Sequence, residues 1–509
     1  MRVMARRLAV LSIPMLALLV AFPAAADGPR SAAQVFGPYL FVPGTFKPPS
    51  HPLPRRTDAI RHWNQIAIDA SGLDHTPVAD GEDRVFGHQI GPGRSSRALA
   101  IVHVAIFEAV NAIVGGYESY VGLPRAHKGA SLDAAVAQAA HDTLVAMFPS
   151  QAEAFDAQLA EELARVKHHY ARALGVALGH SAAAAILALR ANDGSDHPEP
   201  LWDVDYFAGD EPGIWRKDPI SQIPVALGAH WGAVDTFVVG PLEDFRAPPP
   251  PSLASSEYAA AFNEVEALGG DGVNTLTLRT PDQTEIGIYW AYDGTPSLCA
   301  PPRLYNQIAV QIATKKHTSL VGLARLLALV NVAMADAGVV AWESKYFYDY
   351  WRPVTGIREA DPDTGPTGIG DENPYTMGDP VFSPLGAPAS NLLAVNFTPP
   401  FPAYPSGHAT FGGALFQTLR RFYGTDRIPF TFVSDELNGV TLDNQGNPRP
   451  LRPRSFRTLC EAEEENGQSR IYLGIHWAFD KTEGITQGRH VADAVFDALF
   501  EPVKKPPKK

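Results

Sequence analysis

The stretch Lys345-Tyr346-Phe347-Tyr348-Asp349-Tyr350-Trp351-Arg352-Pro353 closes a long apolar run, 318–351, whose pattern is helical. Trp342, Lys345, Asp349 and Arg352 stand three or four residues apart, so one continuous helix carries all four on a single face. Pro353 then ends that helix, because it lacks a donor and its ring clashes with the preceding turn. The face so formed sets two cations beside an aromatic ring.

Two later runs complete the pattern. Pro405-Ser406-Gly407-His408 precedes Ala409-Thr-Phe-Gly-Gly-Ala-Leu-Phe and reads as a helix start. Such a start offers unpaired backbone N–H groups and a positive dipole end, which suit an oxyanion, and Gly407 lets the backbone come close to it. The third run is Ser469-Arg470, followed by Gly474, His476 and Asp480. It is expected on one helix, with long side chains converging, and Asp480 one turn after His476 is placed to hold an imidazole N–H and fix its tautomer.

Lys345, Arg352, Arg470, the Ser406 hydroxyl and the Gly407 N–H together make a cage for a tetrahedral or trigonal oxyanion. Each charge-assisted hydrogen bond in it contributes roughly 1.5–3 kcal/mol. Two histidines remain to do chemistry on the guest. Taken singly, the cations read equally well as a solvated helix face, and Ser-Gly-His as an ordinary cap.

As an ordered set, Lys345-x6-Arg352-Pro353, Pro405-Ser-Gly-His408 and Ser469-Arg470-x5-His476-x3-Asp480 resemble a known signature. It is shared by vanadium-dependent haloperoxidases and the type 2 phosphatidic acid phosphatase and bacterial acid phosphatase superfamily, and every specified residue is present. The resemblance implies an all-α fold of two four-helix bundles with long irregular loops. It implies one vanadate per chain, with His476 bonded to the metal and Lys345, Arg352, Ser406, Gly407 and Arg470 on its oxygens. His408 is then the general acid–base, and Lys345 also polarises peroxide.

Further features resemble the chloroperoxidase branch. Tyr289-Trp-Ala-Tyr-Asp293-Gly is similar to a segment whose aspartate contacts the second cage arginine, here Arg470. Trp342 and Phe401 match aromatic residues lining the halide approach, with plain core packing as the alternative for both. The chain is also much longer than a one-bundle phosphatase. The implied partners are hydrogen peroxide and a halide, with small organic acceptors as a further class and the oligomeric state open. Two other functions stand beside this one. In a secreted acid phosphatase the same residues make His476 the nucleophile and His408 the acid for the leaving alcohol. A non-catalytic oxyanion-binding protein has no use for His408.

Outward from the motifs, residues 1–26 read as a secretory signal: Arg2, Arg6 and Arg7, an apolar stretch, then Ala24-Ala25-Ala26. A secreted or periplasmic location follows, and no later stretch is expected to span a bilayer. Loss of that leader moves the formal charge from -13 to about -16, which argues against nucleic acid and anionic membrane as partners. Helices are expected near 57–71, 95–114, 131–147, 150–166, 169–192, 255–268, 281–291, 304–314, 318–351 and 485–499. Strand signals are few.

Residues 27–246 form the expected N-terminal bundle, 247–254 a Pro-rich linker, 255–500 the C-terminal bundle with the site, and 501–509 a basic disordered tail. The Pro/Gly/Asp-rich loop 354–404 leads into Phe401 and is expected to be functional; 425–454 reads as irregular. His103 and Glu108 read as satisfied core polar groups, and His168-His169 as a solvated turn. Cys299 and Cys460 either pair or stay free.

Overall fold

The computed structural model describes residues 31–43 and 58–503. The leader 1–26 and the tail from 504 lie outside the described residues. The helices are α1 (Ala32–Phe36), α2 (Ala59–Asp74), α3 (Gly91–Val114), α4 (Leu132–Met147), α5 (Ala152–Arg165), α6 (His169–Leu189) and α7 (Ser256–Gly269). They continue with α8 (Pro281–Tyr289), α9 (Pro302–Lys315), α10 (Leu320–Tyr348), α11 (Pro353–Arg358), α12 (Gly407–Tyr423), α13 (Leu459–Tyr472) and α14 (Ala478–Ala498).

Local chemistry sets these ends. The Ser319 side chain accepts from Gly322 N to start α10, Thr280 and Gln283 form a capping box on α8, and the Thr458 side chain accepts from Glu461 N to start α13. Gly115 ends α3 at φ +76°.

The fold is mostly helical, as expected, and α10 is its axis. It packs against α3 on one side and against α12 and α14 on the other. One hydrophobic cluster takes in Leu99 to Phe107, Leu323 to Val340, Phe411 to Leu419 and Val491, joining residues from both halves of the chain. A second cluster, with Tyr258, Trp351, Tyr404 and Trp477, backs the motif runs from outside.

Several expectations need correction. α10 does not reach Arg352: it ends at Tyr348, and Asp349 takes the left-handed conformation at φ +49° as its C-cap. Pro353 opens α11 instead of closing α10, because a proline at the first helical position gives up a donor that would be unpaired there anyway. Arg470 and His476 are not on one helix either. α13 stops at Tyr472, Gly474 turns at φ +72°, and His476 lies in the connector before α14. α14 starts at Ala478, a turn and more before its expected start.

The irregular stretch 425–454 contains a strand. β1 (Phe430–Asn438) pairs antiparallel with β2 (Leu451–Phe456), Phe430 opposite Phe456 and Val433 opposite Pro453. Helices α3, α6 and α10 are each long and apolar enough to cross a membrane by length and composition, contrary to the sequence expectation. In α3 and α10 that apolarity is core: 89% and 94% of the relevant windows are buried inside the protein.

Glu108 is satisfied, accepting from Ser119 Oγ at 2.5 Å and Tyr120 N at 2.7 Å. His103 is buried as expected, but neither ring nitrogen has a protein partner. His168 and His169 are exposed, and no cluster able to hold a metal ion occurs among the described residues. Both cysteines are free, Cys299 buried and Cys460 exposed.

Candidate active site

The three runs converge where the ends of α10, α12, α13 and α14 meet. The link between the last two runs is a backbone bond: Ser406 N donates to the Asp480 carbonyl at 3.0 Å, so the starts of α12 and α14 sit side by side. Ser406 caps α12, its hydroxyl oxygen accepting from Ala409 N at 3.5 Å. Gly407 is needed for close packing, since a Cβ there would lie 3.3 Å from the Trp342 ring.

Lys345 is fully buried in the last turn of α10. Its ammonium donates to the Pro402 and Ala403 carbonyls at 2.8 and 2.9 Å, which leaves one of its three donors uncommitted. It also lies 5.1 Å from the Phe401 ring centre and 5.7 Å from that of Trp342. Burial, then the charge of Arg352, pushes its pKa well below the usual lysine range.

Arg352 reaches the same place from the connector. Its Nε donates to the Phe401 carbonyl at 2.9 Å and its Nη1 to the Ile475 carbonyl at 2.8 Å. Burial pushes it down to about 9, so it stays charged at neutral pH. Arg470 donates from Nη2 to Asp293 Oδ1 at 2.5 Å. The loop 354–404 thus supplies the carbonyls that aim Lys345 and Arg352, as its position before Phe401 suggested.

His476 has a defined tautomer. Nδ1 donates to Asp480 Oδ2 at 2.7 Å, so Nε2 carries the lone pair and accepts from Arg352 Nη1 at 2.9 Å. Burial first, then Arg352, Lys345 and Arg470, holds His476 well below the ordinary histidine value, hence neutral. Asp480 also accepts from Trp477 N at 3.0 Å, and burial lifts it to about 7. His408 donates from Nε2 to the Ala291 carbonyl at 2.5 Å, with Asp293 Oδ1 3.9 Å away. Burial and the Arg470 charge keep it neutral too.

All eleven residues singled out from sequence, Asp293, Trp342, Lys345, Arg352, Phe401, Ser406, Gly407, His408, Arg470, His476 and Asp480, therefore belong to one site. Only Asp349 of the original helix face leaves it, accepting a hydrogen bond from Tyr206 Oη at 2.9 Å. Trp342 and Phe401 stand 4.8 Å apart, with the Trp342 indole N–H tied to the Leu227 carbonyl at 3.0 Å.

A cavity of about 40 Å3 opens over the cage, lined on its outer side by Val35, Phe36, Ile90, Leu227 and Phe397 and on its floor by Asp293, His408, Arg470 and His476. Sequence reasoning missed the Ala291 carbonyl, which has no side-chain signature, and the α1 wall. It also missed Asn466 and Tyr305, which both donate to the His408 carbonyl, at 2.9 Å each. Asn466 had a signal, four residues before Arg470 on α13.

The donor set fits an oxyanion. Arg352 Nη2 and Arg470 Nε and Nη1 are buried with no protein partner, an expensive state for a guanidinium unless an anion is held there. Three basic side chains face two carboxylates, and the Nε2 lone pair of His476, turned toward Arg352 Nη1, is placed where it could serve as a ligand.

A family model described as the second helical-bundle domain of vanadium chloroperoxidase matches residues 325–505. Vanadium chloroperoxidase of Curvularia inaequalis is 31% identical over 511 residues, covering 83% of this chain and 79% of that protein. A bacterial vanadium-dependent iodoperoxidase has a similar structure, with TM-score 0.68, 22% identity, and coverage of 89% of this chain and 100% of that one. The holo form of a bacterial vanadium-dependent chloroperoxidase gives TM-score 0.60 at 16% identity, covering 87% and 97%. The helical-bundle fold is the one these solved structures share, and by the Curvularia inaequalis relative this chain belongs to the vanadium-dependent haloperoxidase family.

Proposed function

We propose that the protein is a vanadium-dependent haloperoxidase that oxidises chloride and bromide with hydrogen peroxide to hypohalous acid. The observation that carries this is the set of unpartnered buried donors on Arg352 and Arg470 around the Nε2 lone pair of His476, which Arg352 Nη1 faces at 2.9 Å. His476 would hold vanadium, while Lys345, Arg352, Arg470, Ser406 and the Gly407 N–H would hold the oxygens of a single vanadate. When bound, that group supplies a Lewis acid for peroxide activation with no change of oxidation state.

The chain's own residues handle the protons. Because Nε2–H of His408 is committed to Ala291, Nδ1 is the base that takes a proton from hydrogen peroxide and later returns it. The remaining N–H of Lys345 polarises the peroxide oxygen that the halide attacks. Trp342 and Phe401 keep that approach apolar, which strengthens every charge interaction inside. Phe401 also leaves His408 without a second imidazole partner, and chloride oxidation rests on this.

The leader sequence supports export to a secreted or periplasmic location, and the Ala247-Pro-Pro-Pro-Pro-Ser252 run supports a division into two four-helix bundles, 27–246 and 255–500. The test of function is to strip the protein of bound anion and assay halogenation of a phenol reporter with and without orthovanadate. Halogenation only with vanadate, competed by phosphate, is expected. Vanadate that merely blocks hydrolysis of a phosphate ester would make the protein a phosphatase.

A further inference from the structure

The loop Ala291–Gly294 carries two contacts of the site at once. Ala291 gives His408 its hydrogen-bond acceptor, and Asp293 holds Arg470. Between them Tyr292 sits at φ +44°, a conformation that a bulky residue keeps only when its surroundings impose it. The surroundings here are the hairpin β1–β2, which contributes nothing to the cage itself.

Strand β1 holds this segment through Tyr292 and the preceding Tyr289. Tyr289 Oη donates to the Phe432 carbonyl at 2.8 Å, and Ser434 Oγ donates back to the Tyr289 carbonyl at 2.6 Å. Asp435 N donates to Tyr292 Oη at 2.6 Å, and Tyr292 Oη donates to Gln307 Oε1 at 3.1 Å. The central bond runs from Tyr292 N to Glu436 Oε1 at 3.2 Å. Glu436 is fully buried. Its other oxygen accepts from Ser390 Oγ at 2.6 Å and is ion-paired with Arg449, which lies just before β2. A buried ion pair of this kind is poor value for stability alone but holds a fixed geometry.

We propose that Glu436 is a positioning residue for the acid–base step. Held by Arg449 and Ser390, it fixes Tyr292 in its left-handed conformation, so that the Ala291 carbonyl faces His408 Nε2. The hairpin thereby selects the Nε2–H tautomer of His408 and leaves Nδ1 as the base. The inference rests on the role of His408 proposed above, but the tautomer is measurable whether or not the protein halogenates.

The experiment compares two double variants that differ only in the acceptor offered to Tyr292 N. Glu436→Ala/Arg449→Met removes it, while Glu436→Gln/Arg449→Met retains an amide oxygen; losing Arg449 in both avoids a stranded cation. Nitrogen NMR of histidine-labelled protein reads the tautomer, with the His408 signals identified by their loss in His408→Gln. The alanine pair is expected to show a mixed tautomer at His408 and a kcat for halogenation about 10- to 100-fold lower. Its vanadate dissociation constant should stay within about 3-fold of the parent, and the glutamine pair should restore the tautomer and most of the rate.

Glu436→Met/Arg449→Met, which fills the volume that alanine leaves while still removing the acceptor from Tyr292 N, decides the matter should the alanine pair fail to fold; it is expected to give the same mixed tautomer. An Nε2–H tautomer retained in the folded alanine pair, or in the Glu436→Met/Arg449→Met pair when only that one folds, would overturn the proposal. Equal loss in the alanine and glutamine pairs would overturn it as well. A tautomer shift in a protein that never halogenates would support the hairpin's role and sink only the haloperoxidase reading.

Discussion

His476 Nδ1 lies 2.7 Å from Asp480 Oδ2, and this contact decides which face of the imidazole can serve as a ligand. The carboxylate accepts a hydrogen bond from Nδ1–H, so the lone pair is on Nε2, inside the cage beside Arg352. Asp480→Asn keeps the shape, but its amide donates as readily as it accepts and no longer selects the tautomer. Vanadate affinity is expected to fall about 10- to 100-fold, the usual cost of losing such a partner. Calorimetric titration checks this, and unchanged affinity would remove Asp480 from the site's machinery.

On the proposed roles, the two histidines should separate binding from chemistry. His476→Ala removes the nitrogen that would hold vanadium, so its vanadate affinity should collapse. His408→Ala should keep most of the binding and lose about 10²- to 10⁴-fold in kcat. Equal losses of affinity in the two variants would contradict these roles.

Phe401 bears on the halide. Its ring packs 4.8 Å from Trp342 and 5.1 Å from the Lys345 ammonium. A histidine there would introduce a titrating partner near His408 and Lys345. Wild type is expected to turn over chloride at mildly acidic pH as well as bromide, and Phe401→His to depress chloride more than bromide. Bromide turnover with no chloride activity between about pH 4 and 7 would sink the idea; a parallel fall of both activities with stability would make Phe401 a packing residue.

His103 gives the stability a pH dependence. Burial without a partner lowers it to about 3, whereas the unfolded chain titrates near 6.5. Below pH 6.5 the unfolded state binds a proton that the folded state refuses, so this residue's contribution to stability is lost as pH falls. Between pH 6.5 and 5 that loss amounts to about 2 kcal/mol. Denaturant unfolding at pH 7 and pH 5 should therefore show a smaller difference in His103→Leu than in the parent, and an identical difference would show that His103 titrates normally.

The order of Lys345, Arg352, Ser406, Gly407, His408, Arg470 and His476 determined the chemistry of the site, because charge, hydroxyl and imidazole are properties of side chains that the sequence spells out. Helix positions were legible for the same reason: apolar period and capping residues such as Ser319, Thr280 and Ser406 are local. What the sequence left undecided lies where local signals conflict. Pro353 opens a helix as well as it closes one, and α10 stops before Arg352 at a left-handed Asp349 whose carboxylate and carbonyl are held by Tyr206 and Trp215. Gly474 likewise took His476 off α13. The hairpin β1–β2 has strands of mixed pattern with no clear period, and a bulge between Val433 and Asn438 breaks its register. The Ala291 carbonyl, which fixes the His408 tautomer, belongs to a backbone that every residue shares. Its role exists only once the fold brings residues 291 and 408 within hydrogen-bonding distance.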